Sequence, residues 1–322
     1  MGDTDKARAL GGLTARTASA HLETGVRMHY VDAGEGSAAL VLLHGYPQTS
    51  WQWRHVIEPF AEAGYRVIAP DYRGAGNSSR PRSDHGYPAD LRGEVPLPRG
   101  GYTKWEMAED LHLLLHDHLG LTDPAFVLGQ DIGSMVATAY AFRYRDDTRA
   151  LCFGEASQPG TSFYERVKRT PTEWHFSFHQ VLDLPEALVA GRERLYLQYF
   201  YDRLGARPTA VDTDAFVRAY EQPGAMRAGF DLYRAFEQDA DDIRAALAAG
   251  GRLTMPCLGL FGEESLAHRA AIEEMGHEIA EVVSVQGIPG SGHWIADENP
   301  DGLVDSVLRF EESTGPATLH RE

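Results

Sequence analysis

A single carboxylate stands where a strand-like run of the sequence meets a helix-like run. Asp131 is the centre of a Gly-x-Asp-x-Gly pattern, residues 129–133, between the apolar run 125–128 and the small, apolar run 134–141. Small residues on both sides of a nucleophile permit the tight strand-to-helix turn that lifts its side chain clear of a sheet. A carboxylate there suits attack on the electrophilic carbon of an epoxide or a carbon–halogen bond, with formation of an ester that water must cleave. The pattern predicts that Asp131 is a nucleophile.

A histidine in a glycine-rich loop near the carboxyl end is the candidate base. His293 lies in the segment 290–294, after the last strand-like run, 282–288. Where a strand–nucleophile–helix turn of this kind occurs, the nucleophile, the acid and the histidine follow one another in that order. Because an imidazole titrates near neutrality, it suits the proton abstraction that activates water against an ester. His293 is therefore the predicted general base.

Four motifs occur in a fixed order between about residue 40 and the carboxyl end. They are the segments 44–47, 71–76, 129–133 and 290–294. With these motifs the chain resembles the epoxide hydrolase and dehalogenase group of the α/β-hydrolases, and within it the Cif-like epoxide hydrolases. The resemblance implies an α/β-hydrolase fold, a mostly parallel doubly wound sheet with an inserted helical lid. It also implies that the backbone amides of Tyr46 and Ile132 form an oxyanion hole for the Asp131 carbonyl during ester hydrolysis.

The acid that orients His293 has two candidate positions. Many relatives carry it in a Gly-x-x-Asp pattern after a later strand, but here Ser265 occupies that place and Glu264 precedes it. The other position is Glu155, at the end of an apolar strand-like run, and active sites of α/β folds lie at the carboxyl ends of strands. A carboxylate there could hold the imidazole in its working tautomer and stabilise its charged form. Glu155 is the predicted acid, with Glu264 as the alternative.

The lid must supply a donor to the substrate. Opening an epoxide creates an alkoxide, so a lid group has to polarise the oxygen as Asp131 attacks. Tyr233 matches the family's lid tyrosine, and His175 matches the histidine that partners it in Cif-like epoxide hydrolases, whereas other epoxide hydrolases use two tyrosines. The resemblance therefore implies that Tyr233 and His175 hold the epoxide oxygen.

Three aromatic residues near these groups are predicted to contact the substrate, namely Trp174, Phe176 and Trp294. His175 and His179 stand four residues apart, a spacing that is compatible with metal binding on a helix. No glutamate lies between them and no third ligand is evident in the sequence, so neither a metal nor another cofactor is predicted.

Dehalogenases share the carboxylate nucleophile but need a cradle for the halide or for a charged substrate. Haloalkane dehalogenases typically carry a tryptophan after the nucleophile, where this chain has Ile132. Fluoroacetate dehalogenases carry arginines beside the nucleophile and a His-Trp pair in the lid, where this chain has Ser134, Met135 and Phe176. Epoxide hydrolysis to a vicinal diol is therefore predicted first, haloalkane or haloacid dehalogenation second, and a catalytically silent binding protein third. The effect of Gln130, where relatives commonly have histidine, is left open.

The rest of the chain indicates how these residues are positioned. Short apolar runs alternate with helical patterns, which is typical of a parallel sheet covered on both faces. From about residue 162 to 248 the pattern is helical and aromatic, without strand-like alternation, and a Pro/Gly-rich surface loop is predicted over 83–101. The predicted division is a flexible tail over 1–20, an α/β core over 21–157 and 251–322, and a helical cap over 158–250.

Composition limits the partners. The 322 residues carry a net charge of −17, which would repel nucleic acid and anionic membrane surfaces. No apolar run approaches the roughly 18–20 residues of a membrane helix, and the first residues lack the positive-then-apolar plan of a secretory signal. The expected partner is a small-molecule epoxide, the expected location is the cytoplasm, and a homodimer is the oligomer considered.

Overall fold

The structure is a computed structural model that describes residues 8–10, 13–82, 101–266 and 268–315. Of the predicted surface loop 83–101, only residue 101 lies within these ranges. Within them, nine strands form one mixed sheet in the spatial order β1-β2-β3-β5-β4-β6-β7-β8-β9. The strands are β1 (Arg8–Leu10), β2 (Leu13–His21), β3 (Arg27–Ala33), β4 (Ala38–Leu43), β5 (Tyr65–Pro70), β6 (Ala125–Gly129), β7 (Thr148–Gly154), β8 (Cys257–Gly262) and β9 (Val283–Ile288).

The sheet is parallel except at one edge. β1, β2, β3 and β5 are neighbours in antiparallel pairs, and every other neighbouring pair, from β5 with β4 to β8 with β9, is parallel. Alternate side chains of a strand point to opposite faces, and in β4 both faces are apolar. Leu40 and Leu42 lie in the core on one side, whereas Val41 and Leu43 lie in the core on the other. The predicted mostly parallel, doubly wound α/β-hydrolase fold is confirmed.

The prediction of a flexible tail over residues 1–20 is wrong for residues 8–10, which form β1, and for residues 13–20, which belong to β2. Strand β2 pairs with β3 from Ala15 opposite Ala33 to His21 opposite Arg27. Its side chains are mostly small or polar, so its sequence shows little apolar alternation. The strand forms because the edge of β3 presents unpaired backbone N–H and C=O groups that another strand can satisfy.

Helices cover both faces of the sheet and form a block between β7 and β8. In the described ranges they are α1 (Ile57–Glu62), α2 (Lys104–His112), α3 (Ile132–Arg143), α4 (Ser162–Val167), α5 (Trp174–Gln180), α6 (Leu184–Val189), α7 (Glu193–Leu204), α8 (Thr213–Tyr220), α9 (Ala225–Arg234), α10 (Phe236–Gly250), α11 (Arg269–Ile279), α12 (Ile295–Glu298) and α13 (Pro300–Thr314). Residues of α1 and α13 join one core, and residues of α2, α3 and α11 join the other. No helix of the described chain has the length and apolar character needed to cross a bilayer.

The seven helices α4 to α10 lie between β7 and β8 in the chain, where the sequence predicted a helical, aromatic segment. Their apolar side chains continue the core that covers α3. Phe176, Phe200, Phe230 and Phe236 are buried in that core together with Val136 of α3. The carboxyl ends of β6 and β7, where the candidate nucleophile and acid stand, therefore lie beneath a helical layer.

Candidate active site

Asp131 lies in the turn between β6 and α3, with a backbone φ of 54° and ψ of −126°. Residues other than glycine rarely adopt a positive φ, and such strain persists only where the surrounding structure enforces it. The two glycines of the pattern explain how the turn forms. A Cβ atom on Gly129 would clash with the backbone of Gly133, and one on Gly133 would clash with the carbonyl of Leu43 in β4. The Gly-x-Asp-x-Gly pattern is thus a packing requirement of the turn.

Two backbone amides point at the Asp131 carboxylate. The N–H of Tyr46 donates to Oδ1 at 2.8 Å, and the N–H of Ile132 lies close enough to the same carboxylate to lower its pKa. Gly45 allows this approach, because a Cβ atom there would lie 2.6 Å from the Cβ of Asp131. Burial raises the pKa of Asp131 above its ordinary value, while nearby His293 and the two amides act in the opposite direction. Both amides predicted as an oxyanion hole therefore lie beside the Asp131 carboxylate.

His293 lies between the candidate nucleophile and the candidate acid. Its Nδ1 atom is 3.0 Å from Oε2 of Glu155, and its Nε2 atom is 3.8 Å from Oδ2 of Asp131. Donation from Nδ1 to the carboxylate leaves Nε2, on the Asp131 side, as the basic atom. Burial lowers the pKa of His293, but the hydrogen bond and charge of Glu155 outweigh burial, so the pKa lies above its ordinary value of 6.5.

The contacts of Glu155 distinguish it from the alternative acid. Besides His293, it accepts the N–H of Gly262 on Oε1 at 2.8 Å and the hydroxyl of Ser265 on Oε2 at 2.6 Å. Ser265 occupies the position at which many relatives carry the acid. Its hydroxyl donates to the carboxylate of Glu155, which follows the neighbouring strand β7. Glu264 is exposed to solvent. The structure brings Glu155, and not Glu264, to the imidazole.

Gln130, whose role the sequence left open, connects three loops. Its Nε2 group donates to the backbone carbonyl of His293. Its Oε1 atom accepts from Nε2 of Gln52 at 2.6 Å, and Oε1 of Gln52 accepts the N–H of Gly45 at 3.0 Å. All of these groups are buried. A continuous set of hydrogen bonds therefore ties the loop of the Tyr46 amide, the nucleophile turn and the histidine loop together.

A cavity of about 410 Å³ opens onto Asp131 and His293. Its helical side includes four of the predicted residues, namely Trp174, His175, Phe176 and Tyr233. The rings of His175 and Tyr233 lie 5.6 Å apart between centroids, and no hydrogen bond of the Tyr233 hydroxyl occurs in the described chain. Burial lowers the pKa of His175 to about 3, with His293 adding to the effect, so its imidazole is neutral. Both side chains can therefore donate a hydrogen bond into the cavity.

Glu173 also lines the cavity, and sequence reasoning missed it. Its Oε2 atom lies 3.9 Å from Nε2 of His175. Burial raises the pKa of Glu173 to about 7, His293 opposes this shift and Asp131 adds to it. The carboxyl group therefore changes charge near neutral pH beside the reacting groups. Its position next to Trp174 was the one available signal in the sequence.

Trp294 does not line the cavity, so the prediction that it contacts substrate is wrong. Its side chain is 1% exposed, and its Nε1 group donates to the backbone carbonyl of Tyr201 at 3.2 Å. The ring packs edge-on against the imidazole of His293, with 4.5 Å between centroids. Trp294 adjoins His293 in the chain but points into the layer formed by α7, away from the cavity.

Most of the chain matches a known protein family. A family model described as alpha/beta hydrolase fold matches residues 38–300. The soluble epoxide hydrolase of Corynebacterium sp. (strain C12) is 32% identical over 297 residues, which cover 89% of this chain and 94% of that protein. The range matched by the family model spans every residue that lines the cavity.

Solved structures give the same comparison in three dimensions. The structure of the epoxide hydrolase CorEH without ligand matches with a TM-score of 0.76 and 32% identity, covering 93% of this chain and 99% of that one. The Cif epoxide hydrolase from Acinetobacter nosocomialis matches with a TM-score of 0.81, covering 94% of this chain and 90% of that one. At 21% identity, the second match shows a shared fold alone.

Proposed function

The chain belongs to the α/β hydrolase family, and we propose that within it the protein is an epoxide hydrolase that converts an epoxide to a vicinal diol through an ester on Asp131. The observation that carries the proposal is the arrangement around one cavity. A carboxylate in the nucleophile turn faces a histidine–glutamate pair, and a tyrosine and a neutral histidine line the helical side. A relative that the chain matches over most of its length is named an epoxide hydrolase.

In the first step, Asp131 opens the ring. Its carboxylate attacks one epoxide carbon from the side opposite the oxygen, and the carbon–oxygen bond breaks as the new ester bond forms. Negative charge develops on the departing oxygen, which stays bound to the second carbon. Tyr233 and His175 donate hydrogen bonds to that oxygen, and a proton from the Tyr233 hydroxyl neutralises it. The product of this step is a hydroxyalkyl ester of Asp131.

In the second step, His293 activates water. Its Nε2 atom takes a proton from a water molecule, whose oxygen attacks the ester carbonyl carbon. The amides of Tyr46 and Ile132 stabilise the oxyanion that results, and Glu155 stabilises the imidazolium. The tetrahedral species then collapses, which restores the Asp131 carboxyl group and releases the diol with the substrate's carbon–oxygen bond intact. The imidazolium gives its proton to the leaving oxygen. The second proton of the attacking water, left on the Asp131 carboxyl group, passes to the Tyr233 tyrosinate, so that the carboxylate and the tyrosine hydroxyl are both restored.

Residues 158–250 act as a cap in this proposal. Their helices close the cavity over the nucleophile and exclude bulk water while the ring opens. The aromatic side chains Trp174 and Phe176 beside the nucleophile favour an apolar or aryl epoxide. The cytoplasmic location expected from the sequence and the homodimer considered there remain predictions. Light scattering during size-exclusion chromatography measures the second directly.

Turnover of a substrate panel tests the function. The panel contains aliphatic, aryl and trans-disubstituted epoxides, including a styrene-type epoxide, beside fluoroacetate and a chloroalkane. We expect diol from at least one epoxide, no halide release, and loss of diol formation in Asp131→Ser. Halide release without diol formation would point to a dehalogenase, and unchanged diol formation in Asp131→Ser would remove the nucleophile from the mechanism.

A further inference from the structure

Three side chains of the kinds that bind metals converge at a second place in the fold. His112 ends α2, His116 lies in the π-helical continuation Leu113–His118, and Asp147 lies in the 3₁₀ turn Arg145–Asp147 that precedes β7. One ligand atom from each side chain lies within 4.8 Å of the other two. None of the three lines the cavity over the nucleophile. The cluster is therefore separate from the site of the proposed reaction.

The separations of the ligand atoms suit a small divalent ion. Nδ1 of His112 lies 3.4 Å from Oδ2 of Asp147, and Nε2 of His116 lies 3.8 Å from the same oxygen. Zinc bonds of about 2.0–2.2 Å to nitrogen and oxygen, in a tetrahedral arrangement, place neighbouring ligand atoms roughly 3.4 Å apart. The shorter of the two distances matches this value, and the longer exceeds it by about 0.4 Å.

The hydrogen bonds of His116 leave a free electron pair on Nε2, the ring nitrogen that faces Asp147. Nδ1 donates to the backbone carbonyl of Leu121 at 2.7 Å, so Nε2, which faces Asp147, carries no proton. Metal-binding histidines commonly donate their other ring N–H to a carbonyl in this way, which fixes the tautomer and the ring orientation. The hydroxyl of Tyr140, 3.3 Å from Nε2, is the group that an ion would displace or polarise.

His112 is held in place with one nitrogen unused. Its ring stacks on Tyr144 with 4.0 Å between centroids and an angle of 5°. Its Nδ1 atom is buried and makes no hydrogen bond in the described part of the chain. This unused nitrogen lies 3.4 Å from Oδ2 of Asp147 and is therefore available to a cation held between the two side chains.

The surroundings permit a cation to reach and remain at the cluster. All three side chains are partly exposed, so the cluster lies close to the surface of the protein. The positive charge of Arg143, which is near His112, is offset by its ion pair with Glu109 at 3.0 Å. The segment Leu113–His118 that carries His116 is π-helical. Such turns are rare in proteins, and those that occur are often found at functional sites.

We propose that His112, His116 and Asp147 form a binding site for a divalent transition-metal ion, with Zn²⁺ as the best-suited ion and water as the fourth ligand. Two imidazoles and one carboxylate are a ligand set that zinc accepts with an open fourth position. A bound ion would join the end of α2 to the turn that leads into β7. The proposal does not depend on the proposed epoxide hydrolase activity.

The test is a titration of ZnCl₂ into the chelator-treated full-length chain, followed by calorimetry and by competition with a chromophoric chelator. The variants are His116→Gln and Asp147→Asn, which keep the size of the side chains. The matched control replaces two exposed histidines together, His268→Gln and His277→Gln. We expect one high-affinity zinc site per chain in the wild type and in the control, and loss of that site in both variants.

Two further readouts exclude a folding effect. Zn²⁺ should raise the melting temperature of the wild type and of the control but not of the variants, because an ion that binds only the folded state stabilises it. Co²⁺ should give the absorption bands of a tetrahedral site in the wild type, and these bands should be missing in His116→Gln. Failure of the wild type to compete with the chelator, or equal binding by the variants, would overturn the proposal. Equal circular dichroism spectra without metal establish that the variants are folded.

Discussion

The substitution Glu155→Gln tests the proposed roles of Glu155 and His293 together. The contacts of Glu155 determine the orientation that the amide group of a glutamine adopts there. Oε1 accepts the N–H of Gly262, while Oε2 faces the hydroxyl of Ser265 and Nδ1 of His293. A glutamine that keeps its oxygen on the Gly262 N–H turns its NH₂ group towards the imidazole. His293 must then accept a hydrogen bond at Nδ1, so its proton moves to Nε2. Since Nε2 has to take the proton of water, this tautomer is inactive.

The size of the effect follows from the same contacts. The opposite orientation of the amide keeps the working tautomer but leaves the Gly262 N–H against an NH₂ group, which costs about 1–3 kcal/mol. A neutral amide also replaces a carboxylate as the partner of the imidazolium, and a hydrogen bond to a charged group contributes about 1.5–3 kcal/mol. Together they raise the barrier to ester hydrolysis by roughly 2.5–6 kcal/mol, which corresponds to a step slower by about 10²- to 10⁴-fold.

The change should also move the pH dependence of ester hydrolysis. Because the influence of Glu155 outweighs burial, the pKa of His293 lies above 6.5 in the wild type. Only the neutral imidazole is a base, so the hydrolysis rate should rise with pH through the pKa that His293 has in the ester intermediate, where the charge of Asp131 is absent and Glu155 still raises that pKa. Glu155→Gln removes the main cause of the upward shift, and burial remains. We therefore expect the midpoint of this rise to fall in the variant.

Single-turnover experiments separate the two chemical steps. Stopped-flow fluorescence follows ring opening and ester decay, and intact-mass measurement detects the ester on Asp131. In Glu155→Gln we expect the ester to accumulate while ring opening changes little, because Glu155 is not a donor to the epoxide oxygen. Glu264→Gln is the matched control and should behave as the wild type, since Glu264 is exposed. Ester decay at the wild-type rate in Glu155→Gln, or a large slowing in Glu264→Gln, would refute the reasoning.

Three further changes probe the donors, the missed carboxyl group and the hydrogen bonds between the loops. Tyr233→Phe should slow ring opening by about 10²-fold through loss of one donor to the developing oxyanion, and a larger effect on ester decay in the same traces would count against that role. Ring opening should slow in the wild type as pH rises through about 7, because Glu173 then becomes an anion beside the developing charge. This dependence should be absent in Glu173→Gln, and its persistence would exclude Glu173 as the cause. Gln130→Leu should lower the free energy of unfolding, measured in urea, by roughly 2–5 kcal/mol, because its buried partners lose their hydrogen bonds. The control is Gln222→Leu at an exposed position. Equal losses of stability in the two variants would show that the buried contacts contribute little.

Much of the fold and the centre of the site could be predicted because the responsible signals are local. Short apolar runs that alternate with helical patterns are typical of a parallel sheet, and β4 to β9 lie where these runs occur. The turn at Asp131 could be recognised because its small neighbours are required by packing. Glu155 stood out as a carboxylate at the end of an apolar strand, and the structure places it against His293.

The remaining features depend on contacts between distant segments, which a single sequence does not display. β2 has few apolar residues and forms because it completes the edge of β3. Trp294 and Glu173 each adjoin a residue of the site, but the side on which a neighbour lies is decided by packing. Gln130 acquires its contacts from Gln52 and His293, which are far from it in the chain. Adjacency in sequence was thus a poor guide to which side chains face the cavity.

The origin of the oxygen atom tests the central claim most directly. A single turnover with enzyme in excess, in water enriched in oxygen-18, is followed by mass spectrometry of the diol and of the peptide that contains Asp131. If Asp131 is the nucleophile, water attacks the ester carbonyl, so the first label appears in the Asp131 carboxylate and the first diol is unlabelled. Label in the first diol, with none in Asp131, would mean direct attack of water on the epoxide and would contradict the covalent mechanism.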